Sequence, residues 1–420
     1  MSTSQRAPVA AAEGAIGRWR HSLQELSGHP LAPYYLLLGC TSLLLAIGLM
    51  EVLSASSVSS FKAFGNSYHW FFRQLSWMMI GIPAAVIAAK IPHGVLRKLS
   101  WPAILVSLVL IGLTRTSLGV SVNGNTNWLA LGPVQIQPAE LAKFALILWC
   151  ADVYATKDKL LRHSKHILIP VVPVFALATG LVVLLGGDLG TGLILFAILL
   201  GMLWIVGAPL RLFGSALAAV GVIALVLATT SAERMSRLTS FTNPFDHFLG
   251  SGWQSAHGLL GMASGGFFGK GIGASQQKWG NLPAPHTDFI FAVLGEELGL
   301  VGTLLVLALF AGIAWAGIRI AVQSKDPFVR YFAAGITVWI TVQMVINIGM
   351  VLALFPVVGL PLPFVSYGGS SLVPELVAIG LLVSFARAEP RAARALAHQA
   401  RSRARARAVR RGSGGPKASS

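Results

Sequence analysis

The sequence predicts an all-α integral membrane protein of ten transmembrane helices, with a large extracytoplasmic loop between the seventh and the eighth. Three observations lead there. Of 420 residues, 55% are hydrophobic and only 11% charged, and the mean hydropathy is +0.70, too apolar for a domain with a wet surface. The apolar residues gather in runs near bilayer length, about 20 residues of helix, with some shorter or tilted. The cations between those runs divide unequally between alternate loops.

The runs are Tyr34–Leu53, Trp70–Ala89, Trp101–Leu113, Pro138–Tyr154, Ile167–Leu185, Leu189–Val206, Leu212–Thr230, Phe289–Ile318, Val329–Phe355 and Tyr367–Ala386. One set of loops carries Lys90, Arg97, Lys98, Lys157, Lys159, Arg162, Lys165, Arg211, Arg319, Lys325 and Arg330, and both tails join it. The other set holds only Lys62, Arg73, Arg115, Arg234, Arg237, Lys270 and Lys278. The positive-inside rule makes the first set cytoplasmic. Residues 1–33 and 387–420 are then cytoplasmic tails around a transmembrane domain at 34–386, and residues 231–287 form the outer loop. The N-terminal tail lacks a short apolar core followed by a small-residue cleavage site, so no cleaved signal peptide is expected.

The formal charge of +17 does not point to nucleic acid, because much of the excess lies in Arg387–Lys417 beyond the last span. There arginine alternates with alanine and serine, which suits anionic lipid headgroups at about 1 kcal/mol per cation near the surface. Cys40 and Cys150 sit inside apolar runs as small buried hydrophobes, and only His163 and His166 are closely spaced among the histidines. Neither a disulfide framework nor a metal framework follows.

The chemistry gathers at Asn281–Gly299, NLPAPHTDFIFAVLGEELG, where a polar loop bearing His286 and Asp288 enters an apolar helix. A carboxylate at the mouth of a membrane helix is costly and reads as functional; alternatively Thr287 and Asp288 only cap the first turn. Gly295 and Gly299 form a small-residue step that admits a close neighbour. Glu296 and Glu297 lie about 12 Å along the helix, where they read as structural or relay groups. The fourth span opens VQIQPAELAK, with Pro138 in the first turn and Gln137, Glu140 and Lys143 on one face. Lys143 either lines an anionic-substrate site, steadied by Glu140, or forms with it a self-neutralising pair that locks packing.

Asp188 in GGDLGTG is best explained as a cap, with substrate contact as the alternative. The last outer loop, FPVVGLPLPFVSYGGSS, places Ser366, Tyr367 and Ser370 on irregular backbone, which at membrane depth survives only when buried or lining a wet cavity. It forms either one wall of the pocket or a broken helix shaped by proline and glycine alone. Aromatics among glycines in 231–285 suggest short amphipathic or re-entrant pieces. GGFFGKGIG fails as a phosphate loop: the first glycine would fall at Ser264 and no strand precedes it. Its glycines read as bends and close backbone approaches. No internal repeat of the transporter kind is evident.

HTDFIFAVLGEELG, QPAELAK, GGDLGTG, RMSRLTSFTNPF and PVVGLPLPFVSYGGSS, in this order, resemble the SEDS proteins (shape, elongation, division and sporulation) across the whole transmembrane region. The division member is the nearer match and the elongation member the alternative. The resemblance implies a glycosyltransferase that polymerises lipid II, the polyprenyl-diphosphate-linked disaccharide peptide, at the outer face of the cytoplasmic membrane. It also implies a class B penicillin-binding transpeptidase beside it and, for a division member, other divisome membrane proteins at the septum. The family's essential aspartate falls on Asp288, and its buried acid and lysine on Glu140 and Lys143. Two departures stand out: Asn123–Trp128 reads NGNTNW where two arginines are frequent, and Leu282–Asp288 reads LPAPHTD, without the frequent glutamate. Arg73, Arg234 and Arg237 become the candidates for diphosphate contact.

The implied chemistry needs a base and cations, because a sugar on a lipid diphosphate carries its own leaving group. Asp288 is the base, and Lys143, outer arginines or a divalent cation (Mg or Mn) stabilise the diphosphate. Burial raises the Asp288 pKa and a nearby Lys143 lowers it; sequence alone leaves the balance open. A lipid II flippase is the rival, and a scaffold that only recruits division enzymes is a third reading. A through-going path needs charges at mid-depth and on the cytoplasmic side, whereas most lie at outer ends of spans, favouring surface chemistry.

Overall fold

The computed structural model describes residues 28–122, 125–132, 134–229 and 241–412. Each of the ten apolar runs is helical. The helices are α1 (Ala32–Phe64), α2 (His69–Ala88), α3 (His93–Leu113), α4 (Pro138–Thr156), α5 (Ser164–Leu185) and α6 (Leu189–Ile205). They continue as α7 (Leu210–Thr229), α8 (Trp253–Gly265) in the outer loop, α9 (Ile290–Gln323), α10 (Pro327–Val351), α11 (Leu372–Ala388) and α12 (Pro390–Gly412), the arginine-rich tail. The protein is a multi-pass membrane protein. α4 begins at Pro138, whose missing N–H falls where a helix has no use for one.

One element departs from the all-α expectation. Three strands form an antiparallel sheet, β1 (Gly119–Val122), β2 (Asn125–Leu131) and β3 (Val134–Ile136), with Val120 opposite Trp128 and Ala130 opposite Gln135. The signal lay in Asn123-Gly124, a dipeptide that favours hairpin turns, between two short runs with alternating polarity.

α4, α10 and α11 form the centre, with α9 packed on α1 and α10, and α6 on α10. Their buried faces carry the large side chains Trp149, Trp339, Phe332 and Tyr154. α2 packs on α11 and α1, whereas α3 packs on α4. These two consecutive helices diverge, and their outward faces, including Met79, Ile80, Leu105 and Val109, are exposed as for contact with lipid.

Helix α9 is two helices. Gly299 has φ 67° and ψ −162°, a conformation essentially reserved for glycine, and it breaks the ladder. The outer loop supplies the missing partners. The N–H groups of Lys270 and Gly271 donate to the carbonyls of Glu296 and Glu297, each at 3.0 Å, and those of Leu300 and Val301 donate to Gly266 and Phe267 at 2.9 and 3.1 Å. The expected close backbone approach of the GGFFGKGIG glycines is this splice, and the neighbour admitted at Gly295 is α8, through Met262.

The acids beside the kink are paired, in keeping with their structural reading. Glu296 lies 2.8 Å from Lys270 and accepts from Ser275 Oγ at 2.7 Å, while Glu297 accepts from Ser54 of α1 and from the Gly273 N–H and sits 3.4 Å from Lys278. A Cβ at 299 would strike the Gly269 nitrogen. Gly299→Ala is therefore expected to destabilise the fold by at least about 1–3 kcal/mol and to open residues 266–279 to protease. A wild-type melting temperature with an intact loop would show that the splice is dispensable.

Candidate active site

Asp288 sits at the head of α9 without capping it. The cap position is Phe289, whose side chain gives the first turn no hydrogen bond; Asp288 stands one residue before it, its carboxylate turned to the Asp288 and Phe289 N–H groups rather than to the first helical turn. Thr287 Oγ1 lies 2.9 Å from both Asp288 Oδ1 and the Ala284 carbonyl, and its one proton serves either. Gly359 of the last outer loop faces the other oxygen, with room for a Cβ at 4.0 Å. The main chain is clamped: Asn347 Nδ2, on α10, donates to the Asp288 carbonyl at 2.9 Å and to the Leu360 carbonyl at 2.6 Å. Burial raises the Asp288 pKa above the ordinary carboxylate value, and the hydrogen bond from Thr287 opposes it in part.

An aromatic wall stands beside it. The Trp70 ring is 5.2 Å from His286 and 4.9 Å from Tyr367, and the Tyr367 N–H donates to the His286 carbonyl at 2.9 Å. Arg73 rests over Trp70 at 5.6 Å, within cation–π range. Burial lowers the His286 pKa to about 4, so its imidazole is neutral near pH 7 and Arg73 is the cation of this wall. Burial also raises the Tyr367 hydroxyl, against the pull of Arg73.

Glu140 and Lys143 lie deeper than the lining reading requires. Lys143 is 0% exposed; its Nζ is 2.7 Å from Glu140 and donates to Gln343 Oε1 at 2.9 Å, with the Trp339 ring 5.4 Å away. Gln343 Nε2 passes the network to the Pro361 carbonyl at 3.0 Å, and Glu375 of α11 accepts from the Phe364 N–H at 3.1 Å. The pair thus follows the packing alternative and braces the last outer loop from inside. Lys143 is also not among the groups that set the Asp288 pKa, so the open balance falls to burial. Among the described residues Asp288 and Lys143 are linked through α10, where Gln343 and Asn347 stand one turn apart and hold adjacent residues, 361 and 360, of one loop.

The remaining candidates brace this frame. Asp188 caps α6, taking the Thr191 N–H and hydroxyl at 2.8 Å each, and accepts from Gln137 Nε2 at 3.1 Å. Ser370 Oγ accepts from the Gln137 N–H at 3.0 Å, while Ser366 Oγ accepts from Leu362 and its carbonyl from Gln74. Arg234 and Arg237 lie outside the described residues. Among the described residues no three His, Cys, Asp or Glu side chains converge as metal ligands.

Sequence reasoning missed Trp70, Gln343, Asn347 and Glu375. Two amides at i and i+4 in an otherwise apolar helix, and an acid inside the last span, were the available signals.

The model of the cell cycle protein family FtsW/RodA/SpoVE matches residues 34–390. The probable peptidoglycan glycosyltransferase FtsW of Mycobacterium tuberculosis is 38% identical over 390 residues, 93% of this chain and 74% of the relative. Stage V sporulation protein E of Bacillus subtilis is 37% identical, over 85% of this chain and 97% of its own. Among solved structures, a chain from a peptidoglycan synthase complex that coordinates polymerization and crosslinking superposes with a TM-score of 0.67 at 26% identity, covering 84% of this chain and 97% of that one. The rod shape determining protein RodA of Thermus thermophilus gives 0.61 at 28%, covering 85% and 97%. With a family model spanning nearly the whole transmembrane region and relatives of this similarity, the chain belongs to the FtsW/RodA/SpoVE family of cell cycle proteins.

Proposed function

We propose that this chain is a peptidoglycan glycosyltransferase that polymerises lipid II at the outer face of the cytoplasmic membrane during septal wall synthesis, with both termini in the cytoplasm. The observation that carries the reading is the Asp288 carboxylate, placed at a helix head, unused as a cap, and flanked by an aromatic wall with one half-buried arginine. Relatives named peptidoglycan glycosyltransferase support the reaction class.

Asp288 takes the proton from the acceptor sugar hydroxyl as that oxygen attacks the anomeric carbon of the donor. The bond from that carbon to the lipid diphosphate breaks, and the diphosphate leaves with the electron pair. A raised pKa makes Asp288, once ionised, a stronger base than a free aspartate. Arg73 offers the leaving diphosphate a guanidinium, the group best matched to phosphate oxygens. His286, Tyr367 and Trp70 present ring faces and edges on which sugars stack. The divergence of α2 and α3 leaves an apolar flank for the polyprenyl chain. Lys143 acts at one remove, holding the last outer loop in register through Gln343.

Reconstituted protein given labelled lipid II, with and without a class B transpeptidase, tests the reading. Glycan formation supports it; headgroup translocation without polymer would establish the flippase, and neither activity would leave a scaffold. Arg73→Gln is expected to raise KM for lipid II about tenfold or more, the worth of a charge-assisted hydrogen bond, with an unchanged melting temperature. An unaltered KM would remove Arg73 from the diphosphate site.

A further inference from the structure

The face of the membrane domain opposite the candidate active site carries an open cavity. α4 runs from Pro138 on the active-site side to Thr156, about 28 Å away at 1.5 Å per residue. Beyond that end lies an open groove of about 520 Å³, between the segment after α4 and the turn joining α6 to α7, with Tyr331 of α10 on its floor.

Its lining is divided. Ile167, Ile205 and Val206 make an apolar side, while Arg162 and Ser164 make a polar rim. Asp158 is the acid of the lining, and it is already engaged: the Tyr331 hydroxyl donates to it at 2.6 Å and Arg330 at 3.2 Å. Arg162 is exposed and has no ion pair or hydrogen bond among the described residues. Lys159 and Lys165 are exposed in the same segment. The groove therefore presents an uncommitted guanidinium and a hydroxyl above a greasy floor. It is flanked by Trp204, 66% exposed, and Leu210, 71% exposed, an aromatic and an aliphatic side chain placed as at a membrane–water boundary.

We propose that this groove binds one anionic phospholipid of the surrounding bilayer. The phosphodiester accepts hydrogen bonds from Arg162 and Ser164, and an acyl chain lies along Ile167, Ile205 and Val206. A basic hollow between membrane helices recognises such headgroups by charge, and the apolar side selects a lipid over soluble phosphate. The site is separate from the one that would take lipid II, and its occupancy does not depend on the polymerase reading.

The test is native mass spectrometry of the purified full chain, titrated with phosphatidylglycerol or phosphatidylcholine in mild detergent. Wild type is expected to retain phosphatidylglycerol in preference to phosphatidylcholine. Arg162→Gln should lower that retention about fivefold, the worth of one cation near the surface. Val206→Trp, which fills the apolar side without touching charge, should also lower it. Lys90→Gln removes an exposed cation from a loop outside the groove and should change little; the arginine-rich tail is the same in all four proteins. Equal loss in Lys90→Gln and Arg162→Gln, retention by Val206→Trp, or no preference for the anionic lipid would each overturn the proposal. Melting temperatures accompany every variant, and two substitutions of unlike chemistry keep the test decisive if one fails to fold.

Discussion

Asp288→Asn is expected to bind lipid II as wild type does and to polymerise it about 10²–10⁴-fold more slowly, the usual contribution of a positioned general base. The amide keeps the shape and can still accept from Thr287, while its basicity is gone. The pH dependence follows from the direction of the shift. Because burial raises the Asp288 pKa, polymerisation should fall on the acid side at a pH above that of an ordinary aspartate. Stability should move the opposite way. An acid whose folded pKa is raised destabilises the fold by a cost that is full above the folded value, shrinks as pH falls below it and is gone below the unfolded value. The asparagine never bears it, and Asp288→Asn should melt no lower than wild type at pH 7.5. Near wild-type polymer formation would remove Asp288 from the chemistry. A large drop in melting temperature would mean that the carboxylate is structural instead.

The second large effect belongs to Lys143. Removing one partner from a buried ion pair leaves the other charge without compensation, typically at about 3–5 kcal/mol. Lys143→Met would leave Glu140 in that condition, with Glu375 close by and Gln343 Oε1 keeping only the Trp339 Nε1 donor of its two. It should therefore melt far below wild type. Glu140→Gln added to it should recover much of the loss, because no ionised group then lacks its partner at that position. If the single variant melts normally, the pair does not brace the loop. If the double variant is stable and still inactive, Lys143 serves the reaction beyond bracing, and the lining reading returns.

The transmembrane layout was legible because bilayer thickness imposes a length on apolar runs, and each run holds a helix, although α1 runs on to Phe64 rather than Leu53 and α3 starts at His93 rather than Trp101. Asp288 was legible because a carboxylate at a helix mouth is rare and expensive. The pairing of Glu296 and Glu297 with lysines of the outer loop agrees with their structural reading. What sequence could not give was depth. Lys143 and Asp288 are each polar groups near one membrane face, and only their packing against α10 shows that one is sealed inside and the other sits half-buried at the head of α9. Asn347 and Gln343 escaped notice because an uncharged amide in an apolar helix is cheap enough to pass as incidental. The sheet at 119–136 was overlooked for a different reason: short strands leave a weak pattern beside spans of 20 residues.

The splice at Gly299 limits which parts of this molecule can move. Detaching residues 266–271 from α9 would strand two amides and two carbonyls well inside a transmembrane helix, where each orphan costs several kcal/mol if lipid replaces its partner. That stretch of the outer segment is thereby anchored like an intramembrane element despite its glycine content. For the lipid-linked sugar proposed above, the freer flank is the one where α2 and α3 part company, since among the described residues no backbone splice of this kind joins those two helices.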